Sequence, residues 1–121
     1  MGLAVGILEV FGLVAAFAAG DAGCKAANVT MEPFDKNKPA NADSLPVPLI
    51  VMVKYRGSVE DVKAAVEAGA EAADRISGVV NRLIIARPEA DTEKMLHLKA
   101  FDKNEIFNTD GRWPKTGGKK Q

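Results

Sequence analysis

From Leu3 to Ala19 the chain is almost wholly apolar, and what that run becomes constrains every later element. Its length and the small residues around Ala16 to Ala18 mimic an export signal with a cleavage site. Such a signal carries basic residues ahead of the apolar stretch, yet the first basic residue is Lys25, and Glu9 sits inside the run. A membrane-spanning helix needs about 20 apolar residues, so the run is also short for a span. The expectation is therefore a folded domain from the start. Ala4 to Val10 is a brief apolar stretch bounded by Gly2 and the Phe11-Gly12 break, which predicts a buried strand. Leu13 to Ala27 is Ala-rich and Pro-free, which predicts a helix stopping at Asn28.

Val29 to Phe34 predicts a second strand, ended near Pro33. Asp35 to Pro48 holds Pro39, Pro46 and Pro48 among Asn, Asp and Lys and reads as one loop, long for a strand connection and hence either functional or mobile. Leu49 to Arg56 predicts the third strand, apolar at first and then alternating as Val53, Lys54, Tyr55, Arg56, so that one face is expected to become wet. Ser58 with Asp61 forms a capping box for a helix whose apolar stripe is Val62, Val66, Gly69, Ala73 and Ile76. On its wet face the pairs Lys63/Glu67 and Glu71/Arg75 are each worth at most about 0.3 kcal/mol. Gly78 ends that helix, Val79 to Ala86 gives a fourth strand, and Thr92 to Lys99 a last short helix after Pro88. The order is β-α-β-β-α-β, a ferredoxin-like split βαβ of the α/β (α+β) class with an antiparallel sheet covered on one face by two helices. The bare face is expected to be covered by self-association.

With 121 residues there is room for one domain, read as 1–98 with an extension at 99–121 in which Phe101, Ile106, Phe107 and Trp113 pack on the subunit or meet a neighbour. Sixteen basic and sixteen acidic residues cancel, which removes any broad electrostatic case for nucleic acid or an anionic membrane. A single cysteine, Cys24, is expected as a small buried packing residue in the first helix, and His97 is the one histidine. One of each cannot build a histidine-rich metal site or a Cys-His nucleophile pair with a spare ligand. No G-x-x-x-x-G-K-[ST] or G-x-G-x-x-G loop occurs, Lys115-Thr116-Gly117 lacks a partnering Ser-x-x-Lys, and Asn28-Val29-Thr30 matters as a glycosylation acceptor only outside the cytoplasm. No catalytic, cofactor or metal site is expected, and the chain does not read as an enzyme.

Gly-Ile-Leu-Glu-Val-Phe-Gly-Leu-Val-Ala-Ala at 6–16 and Asp-Ala-Gly-Cys-Lys-Ala-Ala-Asn-Val-Thr at 21–30 resemble the opening of the bacterial microcompartment shell domain. The likeness continues through Val53 to Val62, Ala64 to Gly69, and Ile85-Ala86-Arg87-Pro88. It implies a homohexamer, tiling edge to edge with other shell proteins around encapsulated enzymes in the cytoplasm, with a sixfold pore passing small metabolites. Lys25 matches the family's edge lysine, which meets its symmetry mate and bonds backbone carbonyls across the seam; Asn28 and Arg87 are the other edge contacts. The family's short Lys-Ile-Gly-Ser-Gly-like pore turn is replaced here by the 35–48 segment, so Lys36, Asn37, Lys38, Asn41, Asp43 and Ser44 become the pore-lining candidates, and no cysteine stands there to hold an iron-sulfur cluster. Two other readings share the layout. A trimeric PII-like regulator would bind nucleotide between subunits, though no phosphate-binding signature is present. A small acyl-phosphate hydrolase would need an early arginine, and none precedes Arg56.

Overall fold

The computed structural model describes residues 3–45 and 47–98. The expected 99–121 extension, with Phe101, Ile106, Phe107 and Trp113, lies outside the described residues. In chain order the elements are β1 (Ala4–Phe11), α1 (Leu13–Ala26), β2 (Thr30–Met31), β3 (Asp35–Asn37), β4 (Ile50–Gly57), α2 (Val59–Asp74), β5 (Val79–Ile85) and α3 (Ala90–Leu96), with a 3-10 turn at Ala42–Ser44. The sheet order is β2-β4-β1-β5, and every pairing is antiparallel. β1 and β4 pair along their whole length, from Ala4 opposite Gly57 to Phe11 opposite Ile50.

Strand alternation sends Leu8 and Val10 of β1, and Val51, Val53 and Tyr55 of β4, to one face, where α1 and α2 bury them. Each such apolar side chain contributes about 1.5–3 kcal/mol on leaving water. α1 presents Ala15, Ala16, Ala19, Gly20 and Gly23 inward, and small residues bring it close to α2. Tyr55 fills the space those residues leave, its hydroxyl donating to the Ala19 carbonyl at 2.6 Å. Burial pushes its phenol well above the ordinary range. The capping box forms as expected: the Asp61 N–H donates to Ser58 Oγ at 3.1 Å, and Ser58 Oγ donates to Asp61 Oδ2 at 2.9 Å. Val62, Val66, Gly69 and Ala73 lie inward, whereas Ile76, past the helix end, is exposed. The Lys63/Glu67 and Glu71/Arg75 pairs are not among the ion pairs of the described residues. Gly78 turns the chain out of α2 at φ +113°, a left-handed backbone that a side chain would strain.

Four expectations are corrected. The predicted 35–48 loop is partly strand, because Asp35–Asn37 pairs with Met52–Ile50 on the same side of β4 as β2. The predicted 29–34 strand is correspondingly cut to Thr30–Met31, since Pro33 has no N–H to donate and breaks the edge into two pieces. Cys24 is exposed rather than buried, standing one position beyond the inward-facing Gly23 and so turned about 100° away. The supposed wet end of β4 is dry: Lys54 is 1% exposed and Arg56 8%. α3 folds across that part of the sheet's second face and covers them.

Candidate functional site

At one end of the sheet, where β4 and β5 finish and β1 begins, lie all three predicted edge residues. Lys25 is in the last turn of α1, 76% exposed at its side chain, and its Nζ is 2.8 Å from Asp21 Oδ2. That carboxylate, first by hydrogen bonding and then by its charge, raises the lysine above its ordinary pKa. The Asn28 N–H donates to Asp61 Oδ1 at 3.4 Å, tying the end of α1 to the start of α2. Arg87 is exposed just beyond β5. No hydrogen bond joins these three to one another among the described residues; they share an end of the molecule.

The pore candidates occupy the opposite end, where β4 starts. Its length separates the two ends by roughly 23 Å at the rise of an extended chain. Lys36 and Asn37 belong to β3, opposite Val51 and Ile50, so they stand on the sheet rather than on a free loop. Lys38, Asn41, Asp43 and Ser44 are exposed beyond it. The segment has its own bonding: Ser44 Oγ donates to the Asn41 carbonyl at 2.8 Å, the Leu45 N–H to Ala42 at 3.1 Å, and Ala42 is buried. It returns through Val47 against Gly12, whose N–H donates to Leu49 at 2.8 Å.

Between the ends, the second face carries a charged cluster absent from the sequence expectations. Lys54 Nζ donates to the carbonyls of Leu96 at 2.7 Å and Leu98 at 3.3 Å, where the negative end of α3 is directed. Burial lowers its pKa, with Asp35 and Glu32 opposing. Arg56 is bidentate to Glu93 at 2.8 Å for both bonds, reaches Glu32 at 3.4 Å, and donates to the Leu3 carbonyl at 3.1 Å. Its Nε is buried without a partner. His97 Nδ1 is 3.0 Å from Glu32. The sequence signal for this cluster is the pair of cations at alternate positions of a central strand, which share one face and must be neutralised if that face is covered.

The hydrogen bonds from Arg56 hold the Glu93 carboxyl below its usual range, against a smaller opposing effect of burial. A lowered carboxylate stabilises the fold above the unfolded value, 4.5, and that contribution is lost as pH falls through the folded value. Amide protection in α3 is therefore expected to fall below about pH 4.5 before that of α2 does. Glu93→Gln should abolish this acid step; equal, pH-independent protection of α3 in both chains, after correction for intrinsic exchange, would contradict it.

No group of His, Cys, Asp and Glu suited to a metal ion occurs among the described residues, and no described helix is long and apolar enough to cross a membrane. The BMC domain family model matches residues 4–88. The carboxysome shell protein CcmK2 of Synechocystis sp. is 39% identical over 111 residues, covering 90% of this chain and 99% of that protein. The bacterial microcompartment shell protein PduA of Salmonella typhimurium is 40% identical over 93 residues, covering 77% of this chain and 89% of that one. Among solved structures, a microcompartments protein from Desulfitobacterium hafniense DCB matches with a TM-score of 0.61 at 21% identity, a likeness of fold spanning 78% of this chain and 48% of that one.

Proposed function

The chain belongs to the BMC domain family, and from that membership we propose that it is a structural shell subunit of a bacterial microcompartment, assembling as a cyclic homohexamer that tiles into facets. The observation that carries the shell role is the end-to-end likeness to a carboxysome shell protein, 99% of which is matched. Neither the family match nor the relatives support the trimeric nucleotide-binding alternative. The role is scaffolding and passage control rather than catalysis, without a cofactor, in a shell within the cytoplasm alongside other shell proteins and enclosed enzymes.

The hexamer reading is supported by the polarity of the fold. Lys25, Asn28 and Arg87 stand at one end of the sheet, and residues 38–45 at the other. A ring subunit needs one end at the axis and one at the rim, and this assignment puts the edge lysine outward. Six copies of Lys38, Asn41, Asp43 and Ser44 then surround the axis, with Lys36 and Asn37 on the strand behind them. Small metabolites would cross between them. The purified chain should form flat arrays visible by negative-stain electron microscopy at low salt. Dispersed particles of uniform size at every ionic strength would overturn the tiling role.

A further inference from the structure

We propose that the uncovered half of the sheet's second face is a docking groove for the stretch of this same chain that follows Leu98, with Phe101 as the apolar anchor and Lys103 as the charged one. The docking is within one subunit and stands whether or not a ring forms.

α3 covers only part of the second face. Val5, Lys54 and Arg56 are buried there, whereas the next positions along the same strands are open: Ile7 and Met52 are half-buried and Leu83 is 53% exposed. Strand register arranges the open part in two rows. Ile7 lies between Lys54 and Leu83 in the first, and Glu9 lies between Met52 and Asn81 in the second, with Asp35 on the far side of Met52. Ile7, Glu9, Met52, Asn81 and Leu83 line a groove of about 190 Å³, room for one large side chain. A second hollow, which Glu9 and Met52 share with Asp35 and Ile50, continues it. The floor is thus apolar in the first row and acidic in the second. Glu9 is half-buried and in no ion pair among the described residues, a carboxylate that a cation from outside those residues would complete.

The place where α3 ends identifies the occupant. The Leu98 carbonyl accepts from Lys54 Nζ at 3.3 Å, and Lys54 is the residue paired with Ile7, so the chain leaves α3 at the border of the groove. Phe101 follows three residues later, within about 10 Å of extended chain. Residues two apart in an extended segment share a face and are separated by about 7 Å, the same spacing as the two rows. Phe101 over Ile7, Met52 and Leu83 therefore brings Lys103 over Glu9 and Asp35, while Asp102 between them is directed away from the carboxylates. The charge balance agrees: residues 99–121 carry Lys103, Arg112, Lys115, Lys119 and Lys120 against Asp102, Glu105 and Asp110. A tethered segment is present at an effective concentration in the millimolar range, an advantage that a second copy or a separate peptide lacks.

Oxidation of methionine by hydrogen peroxide, read residue by residue by mass spectrometry on the full chain, tests the docking. Met52 is in the floor of the groove; Met95, 65% exposed, reports an open sulfur, and Met31, packed against the core, reports an intact fold. Phe101→Asp should speed oxidation of Met52 several-fold while Met95 and Met31 keep their rates. Lys103→Glu should do the same to a smaller extent, and it carries the test should Phe101→Asp not fold. Phe101→Leu, which keeps an apolar anchor, should preserve the protection. An unchanged Met52 rate in Phe101→Asp, or in Lys103→Glu where that variant stands in, overturns the proposal. A Met52 rate that rises on dilution of the unaltered chain overturns it too, because the cover is then a second copy.

Discussion

Gly69→Ala is expected to destabilise the chain by about 1–2 kcal/mol, although alanine is the better helix former. Removing glycine from a helix interior gains about 0.5–1 kcal/mol. A methyl group here has no room: it would meet the Tyr55 hydroxyl first, then the Ala19 carbonyl at 3.1 Å and Leu8 Cδ2 at 3.2 Å. Overpacking of a close-packed core costs about 1–3 kcal/mol, and it wins because the nearest atom is locked in a hydrogen bond to Ala19. Removing that hydroxyl should relieve the clash, so Gly69→Ala should cost less in a Tyr55→Phe background, whatever Tyr55→Phe costs alone. Gly23→Ala is the control. Its methyl would meet the ring at Cε1 and at Cζ 2.7 Å away, both retained by phenylalanine, as well as the hydroxyl at 2.8 Å, so a smaller rescue is expected there. Urea denaturation of the two cycles reads both couplings, and an equal cost of Gly69→Ala in either background would refute this account of how the helices clasp Tyr55.

Lys25→Ala is expected to leave the hexamer intact and abolish flat arrays. In the hexamer proposed above Lys25 takes the rim end of the subunit, so ring closure is not expected to depend on it. In the proposed tiling its pairing with Asp21 at 2.8 Å would matter where rings meet, since two lysines approaching across a seam repel unless each charge is locally offset. On that reading, removing the amine would take the donor from the carbonyls it would reach in the neighbouring ring, and the loss would recur at every edge of every hexamer. Asp21→Asn, which removes the offset and keeps the amine, should weaken arrays and make them more salt-requiring. Arrays of ordinary extent from Lys25→Ala under the electron microscope would remove Lys25 from the edge.

The elements with strong local signals were legible in the sequence. β1, α1, β4 and β5 fall within a residue of expectation, and α2 starts where expected but ends at Asp74, short of Ile76, because a brief apolar run, a Pro-free Ala stretch, and the Ser58/Asp61 cap each act over a few neighbours. What escaped notice depends on contacts distant in sequence. Asp35–Asn37 has no strand-forming composition, and it is extended because β4 offers an unpaired edge beside it. Lys54 and Arg56 looked solvated because their partners, Leu96, Leu98 and Glu93, lie about 40 residues later. Cys24 shows the limit of composition within a helix, where one step along the chain exchanges buried for exposed. Candidate site residues came from the family resemblance, and the fold adds their distribution to opposite ends.

The most direct test is the native mass of the purified chain across a range of salt. The account predicts a species six times the 12.8 kDa of one chain, persisting at high salt and growing into larger assemblies as salt falls. A stable trimer, or a monomer at every salt concentration, would contradict it.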